Sequence, residues 1–96
     1  MFFEPNETPE GYFLIGFKDI PFATNEGFKY ESSYHVLPAR LLGFSYDDYL
    51  KYCAVNGAKI RGLTGYRYPA WKDKSLCKKM CDKVNSEWKK FEDAIA

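Results

Sequence analysis

Three cysteines and a single histidine are the residues of this chain best suited to metal or nucleophilic chemistry. Cys77 and Cys81 bracket the run CKKMC, Cys53 stands in YLKYCAVNG, and His35 stands in SSYHVLP. Three thiolates and an imidazole would complete a tetrahedral zinc site. A thiol beside the imidazole would make a nucleophile with its base. The spacing speaks against both. No pair has the short, loop-borne separation that structural zinc sites use. Residues four apart on a helix project from one side, and Cys77 and Cys81 are then poorly oriented for a disulfide. The expectation is three small buried hydrophobes, with no metal and no cofactor. Asp47 and Asp48 suit the first turn of a helix, where the dipole favours negative charge, better than a catalytic carboxylate pair. The chain has no P-loop and no GxGxxG, and GLTG reads as a turn. We therefore expect a protein that is not an enzyme.

The stretch LTGYRYPAWKDK, residues 63–74, sets three aromatic rings among basic side chains. Its meaning depends on the register of a hairpin formed by AKIRGLTGYRYP. A four-residue loop, Gly62 to Gly65, pairs Arg61 with Tyr66 and Lys59 with Tyr68. Rings and cations then share one face, as on surfaces that bind single-stranded nucleic acid. A three-residue loop, Leu63-Thr64-Gly65, pairs Arg61 with Arg67 and separates the rings from the cations. One residue of slip exchanges the two faces. A left-handed residue closes three-residue loops, and Gly65 occupies that place, so the separated register is expected. Lys59, Arg61 and Arg67 then form a basic ridge. Arg61 opposite Arg67 is a like-charge pair that costs up to ~1 kcal/mol unless an anion lies between them.

Several elements must position these residues. Residues 1–11 are acidic with two prolines, and are expected to form an irregular arm. GYFLIGF lacks polar alternation and reads as a strand buried on both faces. In PFATNEGFKYE, Asn25-Glu26-Gly27 suits a hairpin loop, with Phe22, Thr24, Phe28 and Tyr30 on one face. LPARLLG fits a short helix with Pro38 at its start and Gly43 past its end. FSYDDYLKYCAVNG carries a stronger helix signal. Ser45 is placed to cap it, with Asp48 three residues on, Phe44 and Tyr49 are spaced for a hydrophobic staple, and Gly57 stops it. Asp73 is placed to cap the last helix, where Cys77, Met80, Cys81, Val84, Trp88, Phe91 and Ile95 form one apolar stripe, and the Cys77–Trp88–Phe91 stripe is expected to be core. The fold expected is α+β: a small antiparallel sheet, made of two glycine-turn hairpins plus a strand, packed against a medium helix and a long C-terminal helix.

Residues 1–96 are expected to be a single domain. Eighteen aromatic residues exceed what a core of this size needs, so some rings are expected at the surface. The N-terminal segment MFFEPNETPEG has no basic region ahead of an apolar run, and an odd cysteine count makes no disulfide framework. A cytoplasmic protein with reduced thiols, and no membrane association, is the expectation. The formal net charge is +1, but residues 1–48 carry a net of −5 and residues 49–96 a net of +6. Such asymmetry suits contact with an acidic partner. The leading reading is a small interaction module that binds a larger, acidic-surfaced protein, as a mobile-element accessory or inhibitor protein would. Its partner-binding residues are expected to be Lys59, Arg61, Arg67, Trp71, Lys72, Lys74 and Lys78. Nucleic-acid binding through the basic ridge of residues 59–78 is the alternative. A homodimeric structural protein is the third.

Overall fold

The computed structural model describes residues 3–17, 36–63 and 66–95, with the side chains of Phe17, Leu63, Tyr66 and Ile95 left aside. The expected Phe22–Tyr30 hairpin and His35 lie outside these residues. The fold is α+β, as the sequence suggests. In chain order come β1 (Phe3–Glu7), β2 (Phe13–Phe17), a short helix α1 over 36–42, α2 (Tyr46–Val55), β3 (Lys59–Leu63), β4 (Tyr66–Ala70) and α3 (Lys74–Ile95). No helix among the described residues is long and apolar enough to cross a membrane.

The acidic N-terminal segment is a strand, which corrects the expected irregular arm. β1 pairs antiparallel with β2, Phe3 opposite Phe17 and Glu7 opposite Phe13. The turn between them explains Pro9. Gly11 N–H donates to Thr8 O (2.9 Å) and Thr8 N–H donates to Tyr12 O (2.7 Å), which closes a loop over Pro9, Glu10 and Gly11. Pro9 supplies the fixed φ that a type I turn takes at its second position, and Gly11, at φ +84°, supplies the left-handed residue. The three-residue loop expected for the later hairpins therefore occurs here. Pro5 is tolerated because β1 is an edge strand.

β2 meets β4 at one bridge, where Phe13 and Trp71 exchange both backbone hydrogen bonds (2.6 and 2.9 Å). In an antiparallel ladder the next bonded pair lies two residues on. That pair would be Ile15 with Pro69, and Pro69 has no N–H to give. The ladder stops there. One four-stranded sheet thus becomes two ribbons joined at a single bridge.

The inner faces of the ribbons pack against α2 and α3 around Phe3, Ile15, Trp71, Tyr49, Cys53, Cys77, Met80, Cys81 and Val84. Leu14 is buried as well as Ile15, so β2 hides side chains on both faces as its unbroken apolar run suggests. Ser45 Oγ accepts from Asp48 N–H (3.3 Å) and caps α2. Gly57 ends that helix at φ +94°, and a Cβ there would also meet Leu76 Cδ1 at 2.7 Å. The staple differs from expectation: Phe44 packs on Tyr52, one turn beyond Tyr49, with ring centroids 5.1 Å apart.

The apolar stripe of α3 is core only as far as Val84. Trp88 is half-buried and Phe91 is 50% exposed, which corrects the assignment of both to the core. At 22 residues the helix runs about 33 Å and outreaches the five-residue strands beneath it. The two rings lie against each other at 5.7 Å, and Trp88 Nε1–H donates to the Glu92 carboxylate.

Candidate functional site

The register of β3 and β4 decides where the basic residues point, and it is neither of the two considered from sequence. Leu63 pairs with Tyr66, Gly62 with Arg67, Arg61 with Tyr68, Ile60 with Pro69 and Lys59 with Ala70. Only residues 64 and 65 are left to link the strands, and two-residue links are the commonest in hairpins. Opposed residues share a face. Lys59, Arg61, Tyr68 and Ala70 therefore lie on the outer face. Ile60, Gly62, Arg67 and Pro69 lie on the inner face, toward α2. The expected separation of rings from cations is overturned, and Arg61 does not oppose Arg67.

Arg67 has an anion of its own instead. Its Nη2 lies 2.8 Å from Asp47 Oδ1, in the first turn of α2, and the Tyr46 hydroxyl donates to Arg67 O. The pair is exposed on both sides, so it contributes little stability, but it commits Arg67 to its own chain.

A cluster centred on Tyr12 stands on the outer face. Tyr12 and Lys72 flank the Phe13–Trp71 bridge and so fall side by side. Lys72 Nζ lies 4.1 Å from the centroid of the Tyr12 ring and donates to Glu10 O (3.2 Å). Arg61 reaches the same ring from β3, its guanidinium carbon 4.2 Å from the centroid. It crosses β4 where Ala70 contributes only a methyl group. The electron-rich ring face holds both cations. Lys59 stands beside them on the outer face, exposed. No carboxylate among the described residues forms an ion pair with Lys59, Arg61 or Lys72. The field of the cluster is nonetheless felt at the exposed Glu10. Its carboxyl is held below the usual range first by a backbone hydrogen bond and by Thr8, and then by the charges of Arg61 and Lys72.

The other expected contact residues divide. Trp71 is fully buried and its indole N–H donates to Asn56 O (3.1 Å), so it holds the two ribbons to α2 and presents no surface. This corrects its assignment to the binding surface; a tryptophan between basic residues looks like a contact residue until the bridge to Phe13 turns it inward. Lys74 and Lys78 are exposed but belong to α3, in the layer behind the strands, and Lys78 pairs with Asp82 (3.2 Å). The seven-residue surface expected from sequence therefore reduces to Lys59, Arg61 and Lys72 on one face. Tyr12, which holds two of them, went unremarked in the sequence. The only sign of it was its place next to a strand beside a turn glycine.

The thiols behave as small core residues. Cys53, Cys77 and Cys81 are all buried and free. Desolvation pushes the Cys53 thiol up to about 12. A hydrogen bond with Cys81, together with burial, pushes Cys77 up further. Burial also raises the Tyr49 phenol. Its hydroxyl has no hydrogen-bond partner of good geometry, and the Cys53 thiol beside it makes only a weak contact. Thiols held protonated in a closed core are poor nucleophiles and poor metal ligands.

A groove of about 420 Å³ opens on the inner side of the same ribbon, lined by Asp47, Leu50, Lys51, Ala54, Ile60 and Arg67. Its floor is aliphatic and its rim is charged. No family model, no curated protein and no solved structure matches the chain.

Proposed function

We propose that this protein is a non-enzymatic interaction module whose β3–β4 ribbon binds an acidic segment of a larger protein. The observation that carries this reading is the placement of Lys59, Arg61 and Lys72 on one face with no carboxylate ion pair among the described residues, while Arg67, Lys78 and Lys90 each have one. Holding cations on a ring fixes their positions without neutralising them. A patch so built is ready for an external anion.

Nucleic acid is the second reading, and the register favours it to one degree: Arg61 and Tyr68 share a face. Two features weigh on the other side. Ring stacking on bases needs open ring faces, and Tyr12 is occupied by its own cations. Three cations in a compact group also match a few carboxylates better than a long phosphate track. Titration of a labelled acidic peptide and of a labelled single-stranded oligonucleotide over a range of salt separates the two. The peptide should bind, and Arg61→Glu should abolish that binding with folding intact. A tighter oligonucleotide complex whose affinity falls steeply and linearly in log–log form with salt would put the second reading first.

A further inference from the structure

Among the described residues, strand β3 is an edge with its hydrogen-bonding groups open. The ladder bonds fix which groups point outward. Phe13 and Trp71 exchange bonds across the β2–β4 junction, so the backbone of residues 67, 69 and 71 faces β2 and that of 66, 68 and 70 faces β3. The pairs bonded across β3 and β4 are then Leu63–Tyr66, Arg61–Tyr68 and Lys59–Ala70. The N–H and C=O groups of Ile60 and Gly62 point away from β4, and neither residue hydrogen-bonds to any described residue on that side. Gly62 is exposed.

An added strand would alternate its side chains between the two faces beside β3. On the outer face they would meet Lys59, with the Arg61 guanidinium further in, over the Tyr12 ring across β4. On the inner face they would meet the aliphatic groove formed by Ile60, Leu50 and Ala54. Resting on the acidic-partner reading above, we infer that the partner segment docks as an extra β-strand on β3 and alternates acidic with aliphatic side chains. Main-chain bonds to Ile60 and Gly62 supply affinity, and the two faces supply specificity. Charge complementarity selects this occupant: basic edge strands repel their own copies, so a second molecule of this chain is disfavoured there.

The test is fluorescence anisotropy with a labelled peptide of alternating glutamate and valine, long enough to cover the five residues of β3. Three comparison peptides accompany it: one with lysine for glutamate, one with the same composition in blocks, and one N-methylated at alternate residues on the bonding edge. The alternating peptide should bind, and the block, lysine and N-methyl peptides should each lose at least about tenfold in affinity. Arg61→Glu, checked for folding by its melting curve, should lose as much. If binding depends on Arg61 but ignores N-methylation and residue order, strand addition is overturned and the acidic-partner reading stands. If the alternating peptide fails to bind, or the lysine peptide binds equally, both fall.

Discussion

The two ribbons are built alike and finished differently. Each is a pair of five-residue antiparallel strands with one outer edge. On β1 that edge is capped at its first residue. Asn85 of α3 accepts from Phe3 N–H through Oδ1 (2.7 Å) and donates from Nδ2 to Phe3 O (2.9 Å), so a side-chain amide takes the place of a neighbouring strand. The next outward N–H on β1 would be that of Pro5, which has none. On β3 no described side chain caps the edge, and Lys59 stands exposed on that strand. An edge left with open donors and acceptors is a liability that proteins usually cover. Among the described residues, one ribbon edge is capped by α3 and the other carries only charge.

Substitutions can break this comparison, and the largest effect belongs at the junction of the two ribbons. Trp71→Ala removes a fully buried ring and its bond to Asn56. A loss of about 3–5 kcal/mol is expected in urea denaturation, large enough to unfold much of a domain of this size. Asn85→Ala uncovers the β1 edge by stranding Phe3 N–H and C=O. It should cost about 1–3 kcal/mol in the same measurement and raise aggregation through β1.

Alkaline pH tests the core beneath both ribbons. The folded chain keeps its Cys53 proton up to about 12, against an ordinary value of 9.0. Above pH 9 the unfolded chain gives up thiol protons that the native chain retains. Unfolding then gains, and stability falls as pH rises. Below pH 9 the contribution is whole. The slope in thermal melts between pH 9 and 11 should approach about 1.4 kcal/mol per pH unit for each retained thiol proton. A flat profile would mean that the thiols are accessible in the native state. The smallest effect on stability is expected at Arg61. Arg61→Glu gives up a cation–ring contact worth about 0.5–1 kcal/mol, so the melting curve should barely move while acidic-peptide binding is lost. A large loss of stability would make Arg61 part of the scaffold.

What the sequence made legible follows local rules. The Ser45 cap, the Gly57 stop and the burial of all three thiols depend on spacing within a few residues of each other, and the structure bears them out. What it concealed depends on distant partners. Pro5 and Pro9 resemble loop residues until β2 is known to lie alongside and a turn to lie between. The Arg61 register required knowing that two residues, and not three or four, join β3 to β4. Periodicity along α3 marked the correct face but not how far the body extends beneath it, so Trp88 and Phe91 looked like core. Tyr12 owes its role to a bridge between residues 58 apart in the chain, Phe13 and Trp71.

Amide hydrogen exchange read residue by residue tests the contrast between edges most directly. In the free protein, Phe3 N–H should be protected by Asn85, while Ile60 and Gly62 N–H exchange freely beside a protected Arg61. On adding the alternating glutamate–valine peptide, Ile60 and Gly62 should become protected and Phe3 should not change. Protection of Ile60 and Gly62 already in the free protein, or exchange there that ignores a bound peptide, would contradict the account.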